Sequence, residues 1–388
     1  MATLHLSSLA IKQFRSFREL QISQLGQVNL ITGKNGVGKS GLLEALRLYA
    51  NSGSPRILRQ LLSDRDELYR LQNQREELRE SSAESDMVES VRNLFFGRPE
   101  LYTQPTQIEI GPLGEPSAGL TVAAVSLVEE VGDDRVRRYR KTIQHSFFDI
   151  QGPGNGENVF VEQIAGLAIQ VGSAPELAFP LNRLMDRGAM ADYRLLAPRY
   201  PFTYVPAQGL SSRDVSTFWE QITLTDLETQ VQSALNAVAP EAIEGINVIG
   251  SVGGRIDRTV IVKTAAAHQP LSLRSMGEGL VRAFGLSLAL VNSRGGLLLV
   301  DEIDSGLHYS VQYEIWKLIF HLAQSLDIQV FATTHSWDSV AAFQQAAADN
   351  TELKGMLIRL QRRGDEIIPT LFDEHKLAIA TREQIEVR

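Results

Sequence analysis

The chain has 388 residues, of which 43% are hydrophobic and 22% charged, and this composition predicts a globular protein with a large core. It contains no cysteine, which excludes disulfides, thiolate zinc sites and cysteine nucleophiles. The formal net charge of −8 argues against a general affinity for nucleic acid.

The sequence offers no pattern typical of membrane insertion. No apolar run is long enough to cross a bilayer, and residues 1–10 lack the charged and then apolar pattern of a secretion signal. We therefore expect a cytoplasmic protein without a membrane span.

Residues 28–48 predict a strand, a glycine-rich loop and a helix. Residues 28–32 (VNLIT) are a short apolar run typical of a buried strand, and residues 41–48 carry apolar residues at helical spacing. Residues 33–40 between them read GKNGVGKS, which matches the phosphate-binding pattern G-x-x-x-x-G-K-S. The alternative, an ordinary glycine-rich turn before a helix, is disfavoured by this context.

The chemistry of this loop is specific. Its glycines let consecutive backbone N–H groups point at a phosphate, Lys39 reaches the β- and γ-phosphates, and the Ser40 hydroxyl ligates Mg²⁺. We therefore predict that the chain binds a nucleoside triphosphate. The predicted binding residues are Gly33, Asn35, Gly36, Val37, Gly38, Lys39, Ser40 and Gly41.

The middle of the chain predicts helices followed by strands. Residues 54–97 are charged and helix-prone, whereas residues 107–171 show strand patterns such as those at 120–129 and 159–171. Residues 152–156 (GPGNG) predict a loop.

Residues 135–141 (RVRRYRK) form a local basic segment. On a strand this run presents arginines on both faces. We favour a solvated edge strand, whose charges discourage aggregation, and a nucleic-acid contact stays the open alternative.

Further strands and helices are expected beyond this region. Residues 200–207 predict a strand and residues 215–238 a helical stretch. Strands at 246–252 and 259–264 predict a hairpin that turns at 253–254. The remainder of the chain alternates between helix and buried strand.

A second cluster of functional residues follows the apolar run at 297–300 (LLLV). This run predicts a buried parallel strand, and ligands bind at the carboxyl ends of such strands. Asp301 at this end is expected to support the Mg²⁺ shell, and Glu302 to orient and polarise the attacking water. The alternative, two solvated acids after a buried strand, is disfavoured beside a phosphate loop.

The next apolar run, at 330–334, predicts a strand that ends before His335. A histidine in this position can donate a hydrogen bond to a γ-phosphate. The alternative is an ordinary surface histidine or a core histidine with satisfied hydrogen bonds, and we favour the functional reading.

Ser275 and Gly277 precede an apolar helix predicted at 280–291. Serine and glycine at a helix N-terminus form an anion site with exposed N–H groups. The alternative is simple N-capping by Ser275. Two anion sites with a single complete phosphate loop predict that each nucleotide is held between two protomers.

Four segments together resemble ABC-type ATPases of the SMC and RecF kind. They are IKQFRSF at 11–17, SMGEG at 275–279, DEIDSGLH at 301–308 and TTHS at 333–336. The last two look closest to the AAA-type ATPases of the OLD (overcoming lysogenisation defect) nuclease group. The resemblance covers residues 1–50 and 270–345.

The resemblance implies a catalytic role and cofactors. Glu302 would be the general base, and Lys39 and His335 would complete the catalytic set. Ser40 and Asp301 would hold Mg²⁺, together with Gln208 as the glutamine that couples the metal to a helical lobe. The implied cofactors are ATP and Mg²⁺.

The resemblance also implies a shared site. Ser275 and Gly277 would reach the γ-phosphate bound by the partner protomer, and Asp304 would cross the dimer interface. Arg15 would approach the nucleotide.

The implied fold class is α/β: a P-loop NTPase whose ABC-ATPase-like head has a mixed central sheet, an antiparallel β lobe and a helical lobe. We expect a single head over residues 1–388. Its expected segments are a phosphate-loop core at 1–53, a helical insertion at 54–100, an antiparallel β subregion at 101–200, a strand, helical lobe and hairpin at 201–270, and the signature, Walker B and switch-histidine core at 271–388.

The sequence differs from three related groups of ATPases, and these differences restrict the expected architecture. The signature lacks the Leu-Ser-Gly-Gly-Gln form of transporters, and the motifs are too close for the coiled-coil arms of SMC proteins. The segment after His335 is too short for the Toprim domain of OLD nucleases, so we expect the ATPase part alone.

We therefore expect a Mg²⁺-dependent ATPase that dimerises head to tail around ATP, or forms a higher homo-oligomer. It would control a separately encoded effector, a Toprim-type nuclease or a toxin, in phage defence or DNA maintenance. The alternatives are a RecF-like ATP-dependent DNA-binding clamp and a scaffold that binds ATP without hydrolysing it.

Overall fold

A computed structural model describes residues 4–68, 80–131, 137–142, 163–184, 197–250, 258–350 and 352–383. The predicted loop at 152–156, the first two residues of the basic segment and the predicted hairpin turn at 253–254 lie outside these residues. The chain divides into two compact units. The first contains residues 1–7, 22–43 and 200–388, and the second contains residues 8–21 and 44–199.

The described secondary structure alternates between strands and helices. The strands are β1 (Leu9–Phe14), β2 (Phe17–Ile22), β3 (Val28–Thr32), β4 (Thr106–Gly111), β5 (Leu120–Val131), β6 (Arg137–Thr142), β7 (Gln163–Val171), β8 (Leu177–Pro180), β9 (Phe202–Val205), β10 (Ile243–Ile249), β11 (Thr259–Thr264), β12 (Leu271–Ser272), β13 (Leu297–Val300), β14 (Gln329–Thr333), β15 (Gly355–Arg363) and β16 (Glu366–Phe372). The helices are α1 (Lys39–Ala50), α2 (Pro55–Ser63), α3 (Glu80–Arg92), α4 (Ser212–Ile222), α5 (Asp226–Asn236), α6 (Glu278–Val291), α7 (Tyr309–Ser325), α8 (Trp337–Asp349) and α9 (Glu374–Arg382).

The first unit is built on a six-stranded sheet in the order β16-β15-β3-β14-β13-β9. Each strand from β15 to β9 is parallel to its neighbour, and β16 pairs antiparallel to β15. This confirms the predicted mixed central sheet. Because β3, β9, β13 and β14 are parallel, the segments that follow them leave the sheet at one edge.

The central strands are buried on both faces, which explains their continuous apolar sequences. Every residue of β3, β13 and β14 is buried. The core of this unit also includes an edge-on contact between Trp316 and Phe343, whose ring centroids lie 5.0 Å apart. A smaller antiparallel sheet, β10-β11-β12, contains the predicted hairpin strands.

The second unit contains an antiparallel sheet in the order β2-β1-β4-β5-β7-β8, and β6 also pairs with β5. The β5–β7 pairing extends from Leu120 to Val128. Gly166 on β7 is required by packing, since a Cβ there would lie 2.3 Å from a methyl carbon of Leu127. The predicted strand in the basic segment is present as β6.

Two expectations differ from the observed elements. The helical stretch expected at 215–238 is two helices, because Leu224 adopts a left-handed φ of 62° and Thr225 caps α5. The expected segment 1–53 is distributed over both units, because β1 pairs with β4 in the second unit. Within the part of the chain that is described, no helix is both long and apolar enough to cross a membrane.

Candidate nucleotide-binding site

The phosphate loop follows β3 and leads into α1, as the sequence predicts. Three of its glycines have positive φ: Gly33 at 142°, Gly36 at 72° and Gly38 at 108°. A Cβ on Gly33 would lie 2.5 Å from the carbonyl oxygen of Leu360 on β15, so the loop passes too close to that strand for any side chain. Asn35 and Gly36 are exposed, whereas Val37 and Gly41 are buried.

Lys39 is the first residue of α1 and is 6% exposed. Its Nζ donates hydrogen bonds to the carbonyl oxygens of Gly33 at 2.7 Å and Lys34 at 3.2 Å, and lies 3.2 Å from Nδ1 of His335. An ammonium group has three donors, and these three acceptors match them. Burial lowers the pKa of Lys39, against the opposing effect of the carboxylates of Asp301, Glu302 and Asp304.

Ser40 and Asp301 are brought together from distant parts of the sequence. The Ser40 hydroxyl donates to Oδ2 of Asp301 at 3.0 Å, across a separation of 261 residues. The other carboxylate oxygen, Oδ1, accepts a hydrogen bond of 2.6 Å from the hydroxyl of Thr333. Both groups are oxygen ligands of the kind that Mg²⁺ prefers.

Glu302 follows Asp301 in a turn with a left-handed φ of 46°. Its backbone N–H donates to the Thr333 hydroxyl at 2.8 Å, and its Oε1 lies 3.7 Å from Nε2 of His335. The Glu302 side chain is 46% exposed, so water can reach its carboxylate. A backbone held in an uncommon conformation is one way in which functional side chains are aimed.

Asp304 lies farther along the same turn. One of its carboxylate oxygens accepts a hydrogen bond from the hydroxyl of Thr334, the residue before His335. The Thr334 oxygen also accepts a bond of 3.0 Å from the backbone N–H of Ser336. The segment after β13 is therefore tied directly to the segment after β14.

Arg282 on α6 is a residue that the sequence analysis did not select. It is 7% exposed, and it donates to the carbonyl oxygens of Pro206, Asp301 and Glu302 at 2.9, 3.1 and 3.0 Å. Burial lowers its pKa, against the effect of nearby carboxylates. The available sequence signal was a charged residue within an otherwise apolar helix.

The signature residues are exposed at the start of α6. Ser275 donates its hydroxyl hydrogen to the carbonyl oxygen of Ser272 at 2.7 Å, and Gly277, with a φ of 114°, occupies the N-cap position without a side-chain cap. Simple N-capping by Ser275 is therefore wrong. In the described parts of the chain, no hydrogen bond joins Ser275 or Gly277 to Lys39.

Two further residues expected from the resemblance, Gln208 and Arg15, lie in different surroundings. Gln208 is exposed in the turn after β9, at the sheet edge that carries Asp301, and its metal role stays a prediction. Arg15 is 5% exposed and donates to the carboxylates of Glu44 and Glu67 and to the carbonyl oxygens of Asn93 and Leu61. These donors form a buried network, and the expected approach of Arg15 to the nucleotide stays a prediction.

Two segments of the chain match family models. Residues 8–60 match one described as "AAA domain", and residues 181–341 match one described as "AAA domain, putative AbiEii toxin, Type IV TA system". These matches contain the phosphate loop and the Asp301–Glu302 turn respectively. A solved structure, the Smc head bound to the C-winged helix domain of ScpA, is similar with a TM-score of 0.50 and 12% identity, over 97% of this chain and 100% of that one.

Two segments of the chain are thus similar to AAA domains, and its fold is similar to that of an SMC head. This fold is the ABC-ATPase-like α/β architecture expected from the sequence. Relatives found by sequence agree with the RecF part of the resemblance, at low identity over most of the chain. The chain is 22% identical to an ATP/GTP phosphatase of Helicobacter pylori over 88% of each chain.

Two further relatives align with this chain over very different lengths. The DNA replication and repair protein RecF of Bifidobacterium longum subsp. infantis is 22% identical, over 89% of this chain and 91% of that protein. An uncharacterized protein of Methanocaldococcus jannaschii is 47% identical over 47 residues, which are 12% of this chain and 22% of that protein.

Proposed function

We propose that this chain is a Mg²⁺-dependent ATPase whose ATP-bound form dimerises head to tail and controls a partner effector. The observation that carries the proposal is the set of side chains collected at one edge of the central sheet. Ser40 lies beside Asp301, and His335 lies between Lys39 and Glu302. Each has the chemistry that phosphoryl transfer requires.

The residues present fit a magnesium nucleotide. The loop glycines have no side chains that would obstruct the backbone N–H groups, and Lys39 supplies a buried positive charge. Ser40 and Asp301 would hold the metal, with Gln208 as a further predicted ligand. When bound, Mg²⁺ would neutralise phosphate charge during transfer.

Glu302, Lys39 and His335 would have different roles in ATP hydrolysis. Glu302 would accept a proton from the attacking water, which its exposed carboxylate can reach. Lys39 would exchange its carbonyl and histidine acceptors for phosphate oxygens. His335, next to both Lys39 and Glu302, would donate a hydrogen bond to the γ-phosphate.

The exposed signature supports the dimer. Ser275, Gly277 and Glu278 present the N-terminus of the 14-residue helix α6 to solvent, and such a terminus attracts anions. A second protomer would place this terminus on the γ-phosphate, with Asp304 near the interface. Mass measurement by light scattering with ATP tests this: Glu302→Gln should form a dimer, and Glu302→Gln with Ser275→Arg should stay monomeric.

Phosphate release under steady-state conditions tests the ATPase. Wild type should hydrolyse MgATP, Glu302→Gln should bind ATP and lose about 10²-fold or more in kcat, and Lys39→Ala should lose ATP binding. The matched control is Glu366→Gln, at an exposed glutamate on β16. Normal hydrolysis by Glu302→Gln would overturn the assignment of the base, and an inactive wild type that binds ATP would favour the scaffold alternative.

Effector control is supported by the description of the family model at residues 181–341, which names a toxin system. The form locked by Glu302→Gln with ATP and the nucleotide-free form of Lys39→Ala would represent the two states of the switch. A separately encoded effector, a Toprim-type nuclease or a toxin, should bind one state and not the other. Equal affinity for both states would contradict control by ATP.

A RecF-like DNA-binding clamp is the second candidate, because the RecF relative aligns over most of both chains. Binding of duplex DNA should then require ATP, weaken with salt, and weaken further when the basic segment at 135–141 is neutralised. DNA binding that is absent, or indifferent to that change, would exclude this candidate.

A further inference from the structure

Arg282 occupies an unusual position for a charged side chain. It lies in the second turn of α6, and the buried residues of that helix are otherwise uncharged: Leu280, Ala283, Phe284, Gly285, Leu286, Ser287, Leu288, Ala289, Leu290 and Val291. Burying a guanidinium is costly unless its donors are used, so the groups that accept its hydrogen bonds indicate what this residue does.

The partners of Arg282 are backbone carbonyl groups at the functional edge of the sheet. One nitrogen, Nη2, donates to the carbonyl oxygens of both Asp301 and Glu302. The other, Nη1, donates to the carbonyl oxygen of Pro206, which also accepts a bond of 2.8 Å from the N–H of Gly209. A single side chain thus connects α6 to the turn that bears Glu302 and to the turn that contains Gln208.

These contacts leave the functional carboxylates free. The guanidinium binds the carbonyl oxygens of Asp301 and Glu302, while the Asp301 carboxylate stays with Ser40 and Thr333 and the Glu302 carboxylate faces His335. Glu302 also has a left-handed backbone conformation, which is uncommon for a residue other than glycine and must be maintained by contacts with its neighbours. Arg282 and Thr333 hold this backbone from its carbonyl and its N–H sides respectively.

We infer that Arg282 is a positioning residue that connects the signature helix α6 to the general base, and this inference rests on the proposed ATPase function. Contact of the start of α6 with a nucleotide would be transmitted through Arg282 to the backbone of Glu302. Loss of Arg282 should therefore affect turnover of bound ATP and leave ATP binding by the phosphate loop intact.

The experiment compares Arg282→Met with Arg282→Lys. We expect kcat to fall about tenfold to a hundredfold in Arg282→Met, with the equilibrium affinity for MgATP within about threefold of wild type, because small misplacements of catalytic groups have effects of this size. Arg282→Lys, which keeps a charge and part of the donor set, should recover part of the loss. Arg294→Met, at an exposed arginine beyond the end of α6, is the matched control.

A double-mutant cycle separates positioning from general damage. In the Glu302→Gln background, Arg282→Met should lower the residual turnover by less than about twofold, because Arg282 acts through Glu302. An equal loss in both backgrounds, or an equal loss of ATP affinity, would overturn the inference. So would the absence of a cooperative unfolding transition in both Arg282 variants. An inactive wild type would instead refute the proposed ATPase function.

Discussion

Lys39 and His335 lie next to each other, with Nζ of the lysine 3.2 Å from Nδ1 of the histidine. Because an ammonium group only donates hydrogen bonds, Nδ1 must be the acceptor and the ring proton lies on Nε2. Nε2 is the nitrogen that faces Glu302, at 3.7 Å from Oε1. The residue proposed to bind phosphate thus sets the tautomer of the histidine beside the proposed general base.

Removing the imidazole should affect turnover more than binding. In His335→Ala the glycine-rich loop and Lys39 remain, so we expect ATP affinity close to that of wild type and a kcat lower by about 10²-fold. Single-turnover hydrolysis with bound ATP measures this directly. His321→Ala, at an exposed histidine on α7, is the control. A large loss of affinity with unchanged kcat would contradict the assigned role.

Because the pKa of Lys39 is lowered, we expect kcat/KM for ATP to fall at alkaline pH. Only protonated Lys39 attracts phosphate, so kcat/KM for ATP should be constant below this pKa and fall as pH rises through it. The fall should begin below the ordinary lysine value of about 10.4. In Lys39→Arg the fall should move to higher pH, because a guanidinium stays protonated.

Stability should respond to pH in the opposite direction at this residue. The pKa of Lys39 in the folded protein is below that of the unfolded chain, so the unfolded chain binds more protons between the two values. The contribution of Lys39 to the free energy of unfolding therefore rises with pH in that interval. Urea titrations of wild type and Lys39→Met across the same pH range would show whether a fall in kcat/KM comes from weaker ATP binding or from unfolding. A pH–rate profile that Lys39→Arg leaves unchanged would refute the assignment.

Thr333 should be necessary for the geometry of the carboxylate pair. Its buried hydroxyl donates to Asp301 and accepts from the N–H of Glu302, and Thr333→Val removes both bonds while keeping the shape of the side chain. We expect a loss of about 1–3 kcal/mol in the free energy of unfolding and a higher Mg²⁺ concentration for half-maximal activity. Thr203→Val makes the same change at a buried threonine on β9, which is separated from β14 by β13. Identical Mg²⁺ requirements in the two variants would contradict this prediction.

The sequence predicts the central sheet and much of the site for a physical reason. β3, β13 and β14 are buried on both faces, so their apolar runs are visible without knowledge of their partners. The side chains that follow such strands, Asp301 and His335, are then brought to one edge by parallel pairing.

Other features depend on long-range contacts that local patterns do not encode. The assignment of β1 to the second unit depends on its pairing with β4, more than 90 residues away. The role of Arg282 depends on three carbonyl groups from two separate turns. The expected long helix is interrupted at Leu224, a residue without turn preference. The interruption lies there because Thr225 caps the helix that follows.

Arg15 is a motif residue within a buried ionic network, and this packing gives a stability prediction. Its guanidinium lies among the carboxylates of Glu44 and Glu67, whose side chains are only 9% and 16% exposed. Arg15→Met would leave both acids without this partner, although Glu44 keeps Arg65. Removal of one partner from a buried ionic group is costly because the remaining charge stays away from water.

We therefore expect Arg15→Met to lower the free energy of unfolding by about 3–5 kcal/mol. Arg65→Met, at a guanidinium that is 39% exposed, should cost less than about 1 kcal/mol although it contacts the same Glu44. Urea unfolding of the two variants measures the difference. If Arg15 instead bound the nucleotide, Arg15→Met would raise the Kd for ATP with little change in stability, and that result would support the role implied by the sequence resemblance.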